Sequence, residues 1–534
     1  MSSHLQNQLQ ALANSDARKV LSSIKRGIEK ESLRISADGK LAQTTHPLEL
    51  GSALAHPSIT TDYSEALMEF ITPVSSSIEG SLETLENVHS FVYQHLDDEI
   101  LWSASMPCIV SGDQSIPVAQ YGSSNVARMK TVYRYGLGHR YGRLMQAIAG
   151  IHYNFSMPQA YWDQAWLEAG KPGAITDYIS ERYLGLIRNF HRYSWLLIYL
   201  FGASPAVCST FLKGRDNHDL QAFDKNGHSL YLPYSTALRM GDLGYNSDAQ
   251  KNLNVCYNSL DNYVATLHEA ILQPHEEYRD IPCGQGGDYQ QLNDSLLQIE
   301  NEFYSQVRPK RVANSGEIPL GALKRGGVEY IEVRCVDVNP FHPLGIDAPQ
   351  IRFLDTFLLF CLLSDSPPCD DGERDRIAEN MQRVVNRGRE PGLQLQADQG
   401  ECSLVAQARQ MLAQMAPLAE LLDTANDCTL YSESQVQQAA KIEDPSLTPS
   451  AQILAEMGSK ELPFFKLAMA YSERWGEEFR KQPLPEDRLQ HFREAAATSI
   501  VDQQAIEAAD TIDFEAYLAA YYQQYELLPA TNSP

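Results

Sequence analysis

The 534-residue chain lacks a Cys-x-x-Cys pair, a bilayer-length apolar run and either of the usual phosphate-binding glycine loops. Each absence removes a class of protein. Nine cysteines stand singly at positions 108, 208, 256, 283, 335, 361, 369, 402 and 428. That scatter argues against a zinc framework and suits reduced thiols in a cytosol. The longest apolar runs, 195–203 and 357–363, are too short to span a membrane. The opening M-S-S-H-L-Q-N-Q-L-Q has no signal peptide, so a cytoplasmic protein is expected. The glycine-rich turn C-G-Q-G-G-D at 283–288 has neither the spacing nor the lysine of a P-loop or dinucleotide fingerprint. It reads as a hairpin or loop. Positive charge is also scarce. With 43 Lys and Arg against 68 Asp and Glu, the net charge is −25. Such a chain repels nucleic acid and anionic membranes, so an anionic substrate needs a local basic pocket. No internal repeat or low-complexity tract is present.

The length suits a large core and two to four domains. Its most informative stretch is 24–73, which opens I-K-R-G-I-E-K-E-S-L-R-I. At a period of two, Glu29, Glu31, Leu33 and Ile35 share one face of a strand. Two neighbouring carboxylates on a face that continues as Leu and Ile call for a cation nearby. I-T-T-D-Y-S-E-A-L-M-E-F-I-T-P follows. At a period of 3.6 it reads as a helix with Asp62, Glu65 and Glu69 on one face and Tyr63, Ala66, Leu67 and Phe70 opposite. Thr60 or Thr61 would cap this helix and Pro73 would end it. A solvated acidic face is the plain alternative. Hard oxygen donors without clustered Cys or His suit Mg2+ or Mn2+ rather than zinc.

Further along, residues 1–23 read as a short polar helix and 78–100 as an amphipathic helix carrying Leu82, Leu85, Val88 and Val92. Residues 105–110 read as a short strand or turn. Tyr121, Ser123, Asn125, Arg128, Lys130, Tyr133 and Arg134 fall close together, either to meet a phosphate or carboxylate or as a basic helix surface. G-I-H-Y-N-F-S-M-P at 150–158 reads as a strand with His152, Asn154 and Ser156 on one face. His152 is a candidate ligand or substrate contact, against a plain buried or surface histidine. A long helix is expected over 175–201, a loop with Arg239 and Tyr245 over 231–245, and a helix over 247–273. Arg308, Lys310 and Arg311 form a basic cluster fit for a polyphosphate. R-G-G-V-E-Y-I-E-V-R-C-V-D-V-N-P-F at 325–341 reads as a strand with Glu332, Arg334, Val336 and Val338 on one face. A glutamate beside an arginine suits a metal and a transferring phosphoryl group; a cross-strand salt bridge is the alternative. After 364 a linker leads into Ala-, Gln- and Leu-rich sequence of helical period.

In order along the chain, R-G-I-E-K-E-S-L-R-I, I-T-T-D-Y-S-E-A-L-M-E-F-I-T-P, A-Q-Y-G-S-S-N, K-T-V-Y-R-Y-G-L, G-I-H-Y-N-F-S, Y-L-F-G-A-S-P-A, A-L-R-M-G-D-L-G-Y, Q-I-E-N-E-F-Y, R-P-K-R and R-G-G-V-E-Y-I-E-V-R-C-V-D-V-N-P-F resemble the proteobacterial type of glutamate–cysteine ligase. The blocks cover about 20–365; the loop at 283–288 and the sequence beyond 370 depart from the family pattern. The resemblance implies an α+β fold like glutamine synthetase: a curved, mainly antiparallel sheet forming a funnel, with helices around it. It implies a catalytic domain over 1–365 and a mainly helical region over 366–534 packed on it. Glu29, Glu31, Asp62, Glu69 and Glu332 would hold the metal. Arg334, Glu332 and His152 would lie at the chemistry. Arg308, Lys310, Arg311 and Lys130 would meet ATP. Tyr133, Arg134, Leu137, His152, Arg239, Tyr245 and Tyr304 would line the substrate pocket, chiefly on the cysteine side.

The implied reaction joins the γ-carboxylate of L-glutamate to the amine of L-cysteine with ATP and Mg2+ or Mn2+, through γ-glutamyl phosphate. This is the first step of glutathione biosynthesis. Inhibition by glutathione and a monomeric state are expected. Other readings are a ligase with a different amine acceptor, a metal-dependent phosphate-ester hydrolase, and a non-enzymatic metal-binding protein. The last ranks low because all five carboxylates and Arg334 are present.

Overall fold

Alternating polar and apolar residues make Lys25–Ile35 a strand, and this strand, β1, lies inside the main sheet. Only Lys25 at its start is exposed, with Glu29 half-buried. The computed structural model describes residues 3–13, 17–107, 109–215, 218–244, 248–250, 253–314 and 316–528. Within them β2 (Ile59–Thr61), β3 (Leu67–Ile71), β4 (Ile100–Leu101) and β5 (Ile151–Ser156) follow. Next come β6 (Ala206–Cys208), β7 (Gln221–Ala222), β8 (Ser229–Tyr231), β9 (Val307–Lys310) and β10 (Tyr330–Val336). The hairpin strands β11 (Gln394–Ala397) and β12 (Gly400–Ser403) come last.

Seven strands build the main sheet in the order β2-β3-β1-β5-β10-β9, with β4 also on β1. Its pairs are antiparallel. Helices surround it, so the α+β class expected from the sequence holds. The register matters more than the count. Glu31 pairs with Glu69, Glu29 with His152, Asn154 with Glu332, and Glu332 with Arg308. Directly paired residues point to the same side of a pleated sheet, so one face gathers these side chains.

The opposite face carries Ile28, Phe70, Tyr153, Phe155, Ile331 and Val333, all fully buried. Helices Ile78–Tyr93 and Ala348–Leu363 lie in the core with it. Arg26 of β1 forms an ion pair with Asp355 at 2.7 Å, their side chains 3% and 0% exposed. Tyr153 donates to the same carboxylate at 2.6 Å. A buried charge is tolerated there because it is paired and hydrogen-bonded. Lys30 also points away from the site, its Nζ 2.7 Å from His89 Nε2.

Several expected elements take another form. Residues 60–73 are not a helix but the hairpin β2–β3. The turn between them is closed by Asp62 N–H donating to the Leu67 carbonyl at 2.9 Å. β-Branched I-T-T and F-I-T favour strand, and pairing with β1 overrides the helical spacing of the carboxylates. The helix expected over 247–273 begins only at Leu260, capped by Ser259. Residues 175–201 form two helices, Ile175–Tyr193 and Trp195–Phe201, meeting at Ser194. Residues 1–23 also form two short helices, Ser3–Ala13 and Ala17–Leu21. The sequence after 364 is helical as expected, apart from the β11–β12 hairpin. Among the described residues no helix is long and apolar enough to cross a membrane.

Candidate active site

A cavity of about 250 Å³ opens on the acidic face of the sheet. It is lined by Glu29, Glu31, Asp62, Glu69, His152, Arg308, Lys310, Glu332 and Arg334, together with Tyr133, Arg134, Leu137 and Tyr304. Thus five strands, β1, β3, β5, β9 and β10, and the helix Asn125–Tyr141 bring into one volume residues separated by some 300 positions.

One ligand atom each from Glu29, His152 and Glu332 lies within 4.8 Å of the others. His152 Nδ1 is 3.3 Å from Glu29 and Nε2 is 3.6 Å from Glu31. That Nε2 is buried without a hydrogen-bond partner. Glu31 accepts from Gly150 N–H at 2.6 Å, and Asn154 donates to Glu29 at 2.7 Å. Oxygen donors with one imidazole, and an imidazole nitrogen left unsatisfied, fit a divalent cation.

The electrostatics agree. Burial, reinforced by Glu29, Asp62 and Glu31, pushes the Glu69 carboxyl well above the usual carboxylate range. Burial and Asp62 likewise raise Glu31. Burial acts most strongly on Glu29 too, but the hydrogen bond and charge of His152 and the charge of Lys310 together outweigh it, and the carboxyl lies low. Glu332 lies well below the usual range, because Lys310, Arg334, His152 and Arg308 overcome its burial. Lys310 Nζ stands 3.3 Å from one Glu332 oxygen, and Arg334 donates to the other at 3.1 Å. The face is therefore charged at one end and starved of cations at the other.

The remaining wall is a chain segment, residues 298–304, set against helix Asn125–Tyr141. Arg308 donates to the carbonyls of Asn301 and Phe303. Tyr304 accepts from Gln146 at 2.7 Å. Arg134 donates to the Asp62 carbonyl and stacks on Tyr121.

Not every expected residue reaches this cavity. Arg239 is fully buried behind it, donating to the Arg334 carbonyl at 2.9 Å and lying 3.7 Å from Asp337. A Cβ at Gly150 would come within 1.9 Å of that guanidinium, so glycine is required for the approach. Lys130 packs over Tyr121, where burial brings its ammonium down to about 8. Arg311 turns to the Gly327 carbonyl and Glu329. None of these three lines the cavity. Tyr245 lies outside the described residues. Glu65 is not a member of the acidic face: its carboxylate accepts from the backbone N–H groups of His46 and Gln120. Gln146, Asn301, Glu302 and Tyr63 line the cavity without having been singled out. Asn301 and Glu302 lie within the Q-I-E-N-E-F-Y block, and Tyr63 within I-T-T-D-Y-S-E, where the helical reading puts it on the apolar face; nothing local marks Gln146.

Comparison with known proteins identifies the family. A model of the glutamate–cysteine ligase family matches residues 9–384. A glutamate–cysteine ligase of Alcanivorax borkumensis is 51% identical over 97% of this chain and 99% of its own. One of Pseudomonas putida is 49% identical over 95% of each chain. A crystal structure of the Francisella tularensis glutamate–cysteine ligase in complex with AMP superposes with a TM-score of 0.88 at 35% identity. It covers 94% of this chain and 98% of that one. A bifunctional glutathione synthetase from Pasteurella multocida shares the fold, with a TM-score of 0.71 at 22% identity, over 95% of this chain and 59% of its own. A family model over residues 9–384 and relatives about half identical along nearly their whole length make this chain a member of the glutamate–cysteine ligase family.

Proposed function

We propose that the protein couples ATP cleavage to ligation of the L-glutamate γ-carboxylate to the L-cysteine amine, giving γ-glutamylcysteine, ADP and phosphate. The observation that carries this is the cavity itself. Its acidic donors, its fixed cations and its aromatic wall share one volume.

Glu29, His152 and Glu332, with Glu31, Asp62 and Glu69 beside them, would hold Mg2+ or Mn2+. A bound divalent cation supplies neutralisation of phosphate charge and polarisation of the transferring group. The side chains account for the rest. Glu332 orients Arg334 through their hydrogen bond, and the guanidinium contacts the transferred phosphoryl group. Lys310 and Arg308 add fixed positive charge for the ATP phosphates. An oxygen of the glutamate γ-carboxylate attacks the terminal phosphorus of ATP, and ADP leaves. The cysteine amine then attacks the acyl carbon of γ-glutamyl phosphate. Its C–O bond breaks, phosphate departs, and the nitrogen loses a proton. Phosphoryl transfer of this kind depends on placement and charge more than on covalent help.

The acceptor end is formed by Tyr133, Leu137, Met145, Ile148 and Tyr304, with Arg134 close by. This lining is less charged than the sheet face and suits a small thiol side chain. Burial pushes the Tyr63 and Tyr133 hydroxyls upward, so both stay protonated and serve as donors rather than bases. Arg239 acts from behind, holding the Arg334 backbone.

We read the sheet as the funnel of the glutamine synthetase type. Residues 1–365 are its catalytic part, and 366–534 the helical part packed on it. Every lining residue lies between Glu29 and Arg334, which supports that division. Glutathione carries a glutamyl and a cysteinyl part and should compete for both ends. Free ATP and reduced cysteine place the reaction in the cytoplasm, and a monomer suffices for it.

The test is ADP release with Mg-ATP and L-glutamate, with and without L-cysteine, and with 2-aminobutyrate as a thiol-free acceptor. Turnover that requires glutamate and rises strongly with cysteine is expected. Release indifferent to glutamate would identify a hydrolase instead.

A further inference from the structure

The helix Phe514–Glu526 lies far from the reaction chemistry in sequence, yet it backs the acceptor wall. Its Phe514 and Leu518 pack with Met129 and Val132, on the helix that carries Tyr133. Arg128 of that helix lies 4.4 Å over the Phe514 ring and 5.2 Å over Tyr289. Two tyrosine hydroxyls then reach the wall segment directly. Tyr522 donates to the Gln298 carbonyl at 2.8 Å, and Tyr525 donates to Glu300.

Gln298 is the relay. It is fully buried, and its Nε2 donates to the Tyr133 carbonyl at 3.2 Å. It lies so close to the neighbouring helix that a Cβ at Gly136 would come 2.1 Å from its amide oxygen. Its backbone N–H donates to Glu302 at 2.7 Å. Glu302 is held on its other oxygen by Arg140 at 2.9 Å and Tyr141 at 2.7 Å, both side chains of the ion pair being 0% exposed. Gln250 closes the set, donating to the Glu302 carbonyl and accepting from Tyr304 N–H at 3.0 Å. Tyr133, Glu302 and Tyr304 all line the cavity.

We infer that this C-terminal helix is a positioning element of the acceptor pocket: Tyr522 and Tyr525 set residues 298–304, and through Gln298 and Glu302 the placement of Tyr133 and Tyr304. The inference rests on the ligase reading above. The acidic face is held by strand pairing among β1, β3, β5 and β10. Arg308, at the ATP end, also donates to the Asn301 and Phe303 carbonyls, but pairing of β9 with β10 fixes its backbone independently of the helix. Loosening the helix therefore disturbs the acceptor before it disturbs glutamate or ATP.

The experiment uses the full-length protein with Tyr522→Phe, Tyr525→Phe and the double variant, each removing a hydroxyl and no ring. KM for cysteine, glutamate and ATP, kcat and the thermal midpoint are measured. The double variant should raise the cysteine KM about five- to tenfold, as loss of a hydrogen bond to each of two buried acceptors implies. The glutamate and ATP KM values should move less than about twofold, a split that general destabilisation does not produce. Tyr471→Phe removes a hydroxyl bonded to Glu456 elsewhere among the C-terminal helices, and should leave the cysteine KM unchanged. Unchanged KM values in the tyrosine variants, or a common shift in all three, would overturn the inference. If the double variant does not fold, Tyr522→Phe alone decides. A wild-type protein without glutamate- and cysteine-dependent ADP release would instead overturn the ligase reading, and the inference with it.

Discussion

At the scale of the residue, charge decides. Glu332 is deeply buried, keeps its carboxylate ionised through Lys310 and Arg334, and shares a donor set with Glu29 and His152. Glu332→Gln and Glu29→Gln should each lower kcat at least about a hundredfold, since on the proposed reading each removes a fixed charge that serves the reacting group. Manganese binding followed by electron paramagnetic resonance should weaken in both. Near-normal turnover would remove these residues from the metal site. Arg334→Lys keeps the charge but loses the planar fork that meets Glu332 and, on the proposed reading, the phosphoryl group. Its kcat/KM should drop about a hundredfold or more, and wild-type kcat/KM would refute the phosphoryl role. Glu29, Glu31, Glu332 and Arg334 were legible because a strand's period of two is written in the order of its residues. Glu65 was misplaced because one carboxylate serves a backbone cap as readily as a metal, and order alone does not separate the two.

At the scale of the element, pairing overrides local preference. The stretch 60–73 satisfies a helical period, but β3 is needed beside β1, and that pairing sets Glu69 next to Glu31. Asp62 and Glu69 therefore reach the acidic face from a hairpin, not from a helix. Behind β1, the Arg26–Asp355 pair with Tyr153 joins the sheet to helix Ala348–Leu363. Asp355→Ala strands a buried guanidinium, and should cost about 3–5 kcal/mol in urea unfolding. The double change Arg26→Met with Asp355→Leu should recover most of that loss, because the desolvation penalty disappears with the charges. A single-variant loss within about 0.5 kcal/mol would show the pair to be a bystander.

At the scale of the whole molecule, buried histidines tie stability to pH. Burial, with the Arg34 charge, brings His46 down to about 4; burial does the same for His56 and, with Arg192, for His191. His56 Nδ1 accepts from the N–H groups of Ser58 and Ile59, which requires the neutral ring. The unfolded chain binds protons at these rings near pH 6.5 and the folded one only near 4, so stability should fall as pH drops through that window. Glu31 and Glu69, raised when folded, act in the opposite sense. The discriminating measurement is the thermal midpoint between pH 7.5 and 4.5 for wild type and His56→Asn. The variant's amide oxygen still accepts from both N–H groups but takes up no proton, so its midpoint should fall less steeply. Parallel curves would refute the histidine contribution.

By itself the sequence determined the candidate donors and the class of chemistry. Alternation along β1, β5 and β10 places Glu29, Glu31, His152, Glu332 and Arg334 on strand faces, and a cluster of oxygen donors suits a hard cation. Only the tertiary structure decided which faces meet. Register across β3, β1, β5, β10 and β9 made one acidic surface out of separate strands, because side-chain neighbours in a sheet are set by pairing between distant segments. The same cause kept Gln146, Glu302 and the backing helix Phe514–Glu526 out of reach of the sequence. Their contacts span from 158 to 225 positions. Chain order carries no local period at such separations, and only the packed chain brings the groups within hydrogen-bonding distance.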